Sequence, residues 1–369
     1  MTTKLSPATQ ALKEPRRSWR TAWWVTPLFV LFGLFIAYLI LNAIVQGRCD
    51  GRCVTVLLQQ MLTLATPIAF AALCGVMSER AGVVNIGIEG GMLMAAMVAY
   101  AVNVFSFQFF QAHFDTAAAG NLSRVLALLC GVIAAVLLVW IHALVSITYK
   151  ANQIISGTVI NILALGITGY FYRQFLAENI PPGPGTFPPI EIPLLSKIPY
   201  IGPIFFDHQP LVFVMLILVF VMWYVLFYTP WGLRTRAVGE HPRAADTLGI
   251  DVYRVRYINV LLGGALAGLG GVWFTLEGVD VFNPGMTNGL GFIGLAAMIF
   301  GKWNPVGALM GALLFGLGSS VTTTLSFNRP DIPSQFPQML PYLLTIIILT
   351  GVVGRAVAPA ADGEPYEKQ

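Results

Sequence analysis

Residues 236–256, RAVGEHPRAADTLGIDVYRVR, decide how the chain is read. With Thr235 ahead of them they form a well-patterned polar interruption in a sequence of mostly apolar runs. Pro242 suits the first position of a helix, where its missing N–H is not needed, and Gly249 suits the left-handed residue that ends one. Between them, residues 243–248 make about two turns. Ala244, Ala245 and Leu248 stand at i, i+3 and i+4 spacing, which predicts one apolar face. A helix this short is not stable alone in water. The pattern therefore predicts a helix held by flanking membrane spans and by something it docks into.

The composition agrees with a chain that lives in a bilayer. Hydrophobic residues make up 56% and charged residues 10%, where a soluble domain carries about 25% charged; the mean hydropathy is +0.74. Apolar runs at 23–45, 54–77, 90–110, 125–147, 154–175, 210–228, 257–276, 290–300, 306–325 and 340–353 predict an all-α polytopic membrane protein with about ten transmembrane helices. The run 23–45 is long enough to be a first span rather than a cleaved signal. The run 290–300 is too short to cross about 30 Å of hydrocarbon, so a half-helix is expected there.

The lysines and arginines set the orientation. With the N-terminus inside, fifteen fall inside: Lys4, Lys13, Arg16, Arg17, Arg20, Arg80, Lys150, Arg234, Arg236, Arg243, Arg254, Arg256, Lys302, Arg355 and Lys368. Six fall outside: Arg48, Arg52, Arg124, Arg173, Lys197 and Arg329. That bias predicts N-in, C-in topology, with residues 236–256 cytoplasmic. The organisation follows: a basic tail at 1–20, a transmembrane domain at 21–355 and a cytoplasmic tail at 356–369. Within the domain lie a cytoplasmic loop at 230–256 and an outer loop at 178–209. Eight prolines in that outer loop (181, 182, 184, 188, 189, 193, 199 and 203) predict a mostly non-helical cap. It reads either as a solvated connector or as a landing surface for an external partner. Net charge +4 requires no nucleic acid, since basic cytoplasmic loops account for it. Cys49 and Cys53 share one short loop and could pair; Cys74 and Cys130 lie in apolar runs.

Polar residues inside the apolar pattern are the candidates for function. Glu79, Arg80, Asn85 and Glu89 lie in SERAGVVNIGIEG, residues 78–90. They read either as helix caps in a cytoplasmic loop or as a pathway element, because broken backbone at membrane depth is tolerated only when buried in protein or lining a cavity. Asn161 and His142 sit within spans, where an amide or imidazole either bonds a neighbouring helix or faces the pathway; bonding is the commoner case. Gly82-Val-Val-Asn85 echoes Gly285-Met-Thr-Asn288, each before a small-residue apolar run, as in transporters with two related halves and interrupted helices. Gly264-xxx-Gly268 and Gly307-xxx-Gly311 predict close helix packing. Enzyme chemistry is not supported. Gly301-Lys302 is followed by Trp303, so there is no P-loop, and neither zinc spacing nor a nucleophile elbow occurs.

Four stretches carry a resemblance: TPIAFAALCGVMSERAGVVNIGIEGGML from Thr66, ANQIISGTVINILALG from Ala151, WGLRTRAVGEHPRAADTLGIDVYRVRYINVLLGGALAGLGG from Trp231 and GLGFIGLAAMIFGKWNPVGALMGALLFG from Gly289. The chain resembles permease subunits of ATP-binding-cassette (ABC) importers for nucleosides and simple sugars, within the branched-chain amino acid permease family. The resemblance covers most of residues 66–318, and residues 238–249 point to the nucleoside branch. It implies a multi-pass protein of a prokaryotic cytoplasmic (inner) membrane, with no cofactor of its own. It further implies a coupling helix at Gly239, Glu240, Pro242, Arg243, Ala244, Ala245, Leu248 and Gly249 that docks on an ABC ATPase subunit. The other implied partners are a second permease, identical or paralogous, and an extracytoplasmic substrate-binding protein. Asn85, Glu89, Asn161 and Asn288 are the substrate-pathway candidates. Sugars, riboflavin-like compounds and branched-chain amino acids stand as alternative cargoes, and an ion-coupled secondary transporter using Glu89 or Lys302 as the alternative class.

Overall fold

The computed structural model describes residues 51–178, 180–328, 335–339, 341 and 356–368. In chain order it forms α1 (Gly51–Arg80), α2 (Ile88–Gln111), α3 (Thr116–Ala143), α4 (Gln153–Phe171), β1 (Ile190–Glu191), α5 (Ile201–Phe205) and β2 (Asp207–His208). Then follow α6 (Pro210–Tyr228), α7 (Pro230–Glu240), α8 (Pro242–Thr247), α9 (Val252–Trp273), α10 (Leu290–Phe300), α11 (Pro305–Asn328) and α12 (Gln335–Gln338). Single π-helical turns extend α3, α4 and α9, at Leu144–Thr148, Tyr172–Leu176 and Phe274–Gly278.

Seven helices among the described residues are long and apolar enough to cross a membrane: α1, α2, α3, α4, α6, α9 and α11, with their extensions. The eighth apolar helix, α10, has 11 residues, the half-length element expected there. The run 23–45, nearly all of 340–353, the tail 1–20 and the pairing of Cys49 with Cys53 lie outside the described residues. One expectation is corrected. The span placed at 257–276 begins five residues earlier, at Val252, because Asp251 accepts a hydrogen bond from the Arg254 N–H at 3.0 Å and caps the helix there. Within the proline-rich loop β1 and β2 form a two-residue antiparallel ladder, Ile190 opposite His208, in an otherwise helical fold.

The long helix α1 forms the centre, with residues 65–79 all buried. Small residues let its neighbours approach. A Cβ on Gly294 of α10 would lie 2.4 Å from the Ala71 Cβ of α1, and one on Gly271 of α9 would lie 2.2 Å from the Met92 carbonyl oxygen of α2. The Gly264-xxx-Gly268 pair faces α3, against Val139 and Val132, and Gly311 faces the Ala297 carbonyl. Both small-residue patterns therefore serve close helix packing. Outward faces are apolar as well: Leu129, Ile133 and Leu137 on α3, Ile155, Val159 and Ile162 on α4, Ile217 and Phe220 on α6. Such faces suit hydrocarbon, where each helix satisfies its own backbone.

The loops sort into two ends. At one, the Arg80 Nε–H donates to the Trp303 carbonyl at 2.8 Å, Lys150 pairs with Glu367 at 3.0 Å, and the Ala361 N–H donates to the Gly239 carbonyl at 2.9 Å. At the other, Arg124 donates to the Pro184 and Gly185 carbonyls, Gln108 to that of Pro182, and Gln209 to that of Glu277. Among the described residues, the charged segments assigned to the inner side by the lysine and arginine count, around Arg80, Lys150, residues 234–256, Lys302 and Lys368, thus gather at one end.

Candidate coupling site and substrate pathway

The polar interruption is mostly helix rather than loop. Thr229 ends α6 and caps α7, its Oγ1 accepting from the Gly232 N–H at 3.3 Å, with Pro230 at the first helical position. His241 (φ −142°, ψ 77°) breaks the chain out of helix, and Pro242 starts α8 at once. Gly249 follows in the left-handed region at φ +82°, where glycine carries no Cβ penalty. One feature differs from the sequence reading: α8 ends at Thr247, and Leu248 already has non-helical dihedrals. Ala244, Ala245 and Leu248 consequently do not share a face. Ala245 is 2% exposed and packs inward with Val238, Val252, Val255 and Tyr366, whereas Leu248 is 83% exposed. Ala244 and Arg243 are exposed with Leu248. The short helix is anchored by one alanine and presents the rest.

Its N-terminal neighbours are fixed through backbone. A Cβ on Gly239 would lie 2.2 Å from the Arg80 carbonyl oxygen, so only glycine allows α7 to meet the end of α1. Glu240 accepts from the Ala360 N–H at 3.2 Å. On the other flank, Asp246, Gly249, Ile250, Asp251, Val252, Tyr253 and Lys368 line a recess of about 400 Å³.

Residues 81–87, between α1 and α2, are not a solvated loop. Ala81, Gly82, Val83, Asn85 and Gly87 are buried. Their backbone polar groups find partners on the α3–α4 hairpin. The Val84 N–H donates to Gln153 Oε1 at 2.7 Å, and the Val84 carbonyl accepts from His142 Nε2 at 3.1 Å. His142 Nδ1 then accepts from the Ser156 hydroxyl at 3.0 Å. Asn161 uses both halves of its amide: Nδ2 donates to the Ile86 carbonyl at 3.0 Å, and Oδ1 accepts from the Gly90 N–H at 2.8 Å. His142 and Asn161 therefore bond neighbouring backbone, the commoner of the two roles expected. The segment meets the general condition for broken backbone among helices, that protein groups replace water.

The echo between the two glycine-asparagine stretches has a structural counterpart. Gly82 and Gly285 both have positive φ, at +80° and +76°, and the helices that follow them begin against each other. Glu89, in the first turn of α2, accepts from the Gly289 N–H at 2.8 Å, the Gly291 N–H at 2.7 Å and the Thr287 hydroxyl at 2.6 Å. One carboxylate thus caps the N-terminus of α10, where free N–H groups and the helix dipole favour negative charge. Asn85 is fully buried, donating to Cys74 Sγ at 3.7 Å, and its Oδ1 has no partner among the described residues. Asn288 is exposed, at φ +44°. Glu89 and Asn161 thus meet at the start of α2, Asn288 stands near the start of α10, and Asn85 lies deeper against α1.

Sequence reasoning missed the turn after α10. Lys302 and Trp303 have consecutive positive φ values of +55° and +54°, each costing roughly 1–3 kcal/mol. Glu79 and Arg80 hold that turn. The Trp303 indole N–H donates to Glu79 Oε2 at 2.6 Å, and the Arg80 guanidinium donates to the carbonyls of Trp303 and Lys302. The same guanidinium lies 5.9 Å from the Phe227 ring centroid, and that of Arg236 lies 5.2 Å from it. Glu79 and Arg80 cap no solvated helix end; they tie α1 to the α10–α11 turn. Sequence reasoning also gave no role to residues 356–368, although Asp362-Gly363 is a turn dipeptide.

A bundle of membrane-crossing helices, with half-length and interrupted elements meeting inside it and a short, mostly exposed helix presented at one end, is the architecture of a membrane transport component. The chain belongs to the family described as the branched-chain amino acid transport system permease component, which it matches over residues 57–349. It is 42% identical over 325 residues to the guanosine ABC transporter permease protein NupQ of Bacillus subtilis, covering 86% of this chain and 98% of that one. It is 41% identical over 320 residues to the nucleoside ABC transporter permease protein NupC of Lactococcus lactis, covering 85% and 97%. A putative glucose ABC transporter permease protein of Haloferax volcanii, TsgC13, is 34% identical over 338 residues, covering 85% and 98%. No solved structure matches the chain. The protein is a multi-pass membrane transport component rather than an enzyme.

Proposed function

We propose that this chain is the permease subunit of an ATP-driven importer for nucleosides in the cytoplasmic membrane of a prokaryote. The observation that carries the reading is the identity of 42% and 41%, along nearly whole chains, to permeases named for guanosine and for nucleosides. In this reading the end bearing α7 and α8 faces the cytoplasm, in agreement with the lysine and arginine bias. The coupling site comprises Gly239, Glu240, Pro242, Arg243, Ala244, Ala245, Leu248 and Gly249. Leu248 and Ala244 supply the contact with an ABC ATPase, and Ala245 and Gly239 seat the helix on the permease.

ATP-driven closure of the ATPases displaces α8. The motion passes through α7 and α9 to Arg80, Glu79 and the α10–α11 turn, and so to the facing starts of α2 and α10. There Glu89, Asn161 and Asn288 border the substrate path. A second permease, identical or paralogous, completes the path, and an extracytoplasmic binding protein delivers cargo to the proline-rich end. A simple sugar is the second reading for the cargo, supported by the 34% identity to a putative glucose permease.

Uptake of labelled guanosine, glucose and leucine by the importer reconstituted in proteoliposomes tests the reading. ATP-dependent guanosine uptake well above that of the other two is expected. Preferential glucose or leucine uptake rejects the nucleoside assignment, and ATP-independent uptake driven by an ion gradient rejects the ABC class.

A further inference from the structure

Residues 356–368 have no regular secondary structure beyond a turn, yet they are held like an internal element. The Ala360 and Ala361 N–H groups donate to Glu240 and to the Gly239 carbonyl, at 3.2 and 2.9 Å. The Glu364 carbonyl accepts from Arg256 Nη1 at 2.9 Å, and the Tyr366 carbonyl from the Tyr253 hydroxyl at 3.1 Å. A solvated tail would leave these groups to water.

The side chains of the segment reach in two directions. Tyr366 is buried with Ala245 of α8 and stacks edge-on to Tyr253 at 5.4 Å between centroids. A few residues earlier, the Asp362 carboxyl lies beside that of Glu79, the residue that clamps the strained Trp303 turn. Gly363 sits beside Val84 of the broken segment, where a Cβ would lie 3.4 Å from the Val84 Cγ2, and the Ala361 carbonyl lies against Gly82. The segment thus spans the coupling helix at one end and the interrupted start of α2 at the other.

We propose that residues 356–368 are a force-transmitting brace, which carries movement of α8 to Glu79 and residues 82–84 at the inner mouth of the pathway. The proposal rests on the reading of α8 as the coupling helix. Ala361 and Asp362 are positioning residues in it, acting through Gly239 and Glu79 rather than on cargo.

The test uses the complete importer in proteoliposomes. Ala361→Pro removes the N–H that bonds Gly239, and Ala361→Gly keeps it. With Ala361→Pro, guanosine uptake should fall by about tenfold while ATP hydrolysis stays within about twofold of wild type; Ala361→Gly should restore uptake. A cargo-independent measurement accompanies it: maleimide labelling of Asn288→Cys, with the native cysteines replaced by serine. ATP should change the labelling rate when the brace is intact, and Ala361→Pro should abolish that change. Wild-type uptake and an intact labelling response in Ala361→Pro overturn the brace. So does an equal fall of uptake and hydrolysis, which marks a merely structural segment. Absence of guanosine uptake in the wild type, with a brace-dependent labelling response, rejects the cargo and leaves the brace standing.

Discussion

The Glu89 carboxylate accepts the Gly291 N–H at 2.7 Å, so the first turn of α2 caps the N-terminus of α10 across some 200 residues of sequence. A Cβ on Gly291 would lie 2.8 Å from the Glu89 Cα, so the two helix starts are in van der Waals contact as well as hydrogen-bonded. Glu89→Gln keeps the shape but turns an N–H donor towards N–H groups. The loss should be about 2 kcal/mol, the usual size for a hydrogen bond to a charged group. It should appear as a lower apparent melting temperature in detergent, together with slower uptake. An unchanged melting temperature would mean that the carboxylate does not hold the two helices together.

Asn161 and Asn288 should respond differently. Asn161→Ala strips partners from the Ile86 carbonyl and the Gly90 N–H at once. Each buried backbone group left unpaired costs about 1–3 kcal/mol, so a marked fall in melting temperature is expected. Asn288→Gly keeps the positive φ and removes an exposed amide. It should leave the melting temperature alone and lower uptake if that amide touches cargo. Uptake at the wild-type rate removes Asn288 from the pathway.

The coupling helix gives a paired test. Leu248→Asp changes a side chain that is 83% exposed, so the chain should insert and fold normally yet hydrolyse ATP without transport. Ala245→Asp buries an unpaired carboxylate at a site 2% exposed, which should destabilise the chain itself. Transport at the wild-type rate in Leu248→Asp would move the ATPase contact elsewhere.

The Asp362 carboxyl is pushed up to about 6, first by burial, against the lowering effects of the neighbouring Glu79 side chain and the nearby Arg256 guanidinium. Free aspartate titrates near 3.9. Between those two values the docked segment holds more protons than the released one. Its docking is therefore strongest at low pH and weakens as pH rises through about 6. Limited proteolysis within 356–368, scaled to a free peptide of the same sequence, should accelerate across that window. In Asp362→Asn the acceleration should disappear. Equal pH profiles for the two would show that this carboxyl does not control docking.

Gly271 offers a packing test away from the pathway. A methyl group there would meet the Met92 carbonyl oxygen at 2.2 Å, a backbone atom that cannot rotate away. Gly271→Ala should cost about 1–3 kcal/mol by overpacking. The fall in melting temperature should exceed that of Gly166→Ala, where a Cβ meets nothing within 4 Å. Equal effects would show that α9 and α2 are less tightly apposed.

Local signals in the sequence carried far. Apolar runs located all seven described spans and the half-length α10, because hydrocarbon demands continuous apolar residues. Pro242 and Gly249 bracketed α8, since their backbone constraints act locally. What escaped depends on contacts distant along the chain. The division of Ala245 from Leu248 follows from the helix unwinding one residue early, and from Tyr366 packing on one side only. The roles of Glu79 and Arg80 needed the position of Trp303, more than 200 residues away. Asn161 was legible as an amide inside a span, but not which backbone atoms it grips.

The anchoring of residues 81–90 also bears on how the protein is made. Val84, Ile86 and Gly90 are partnered by Gln153, His142 and Asn161, all of which leave the ribosome after them. An unpartnered N–H or carbonyl is costly in lipid. When α1 and α2 have emerged alone, this stretch must stay near the headgroups and water. It reaches its final depth only once the α3–α4 hairpin has inserted beside it. Biogenesis is then not strictly vectorial: α2 settles after α4. A nascent chain arrested before residue 142 should hold α2 in a shallower position than the finished protein does.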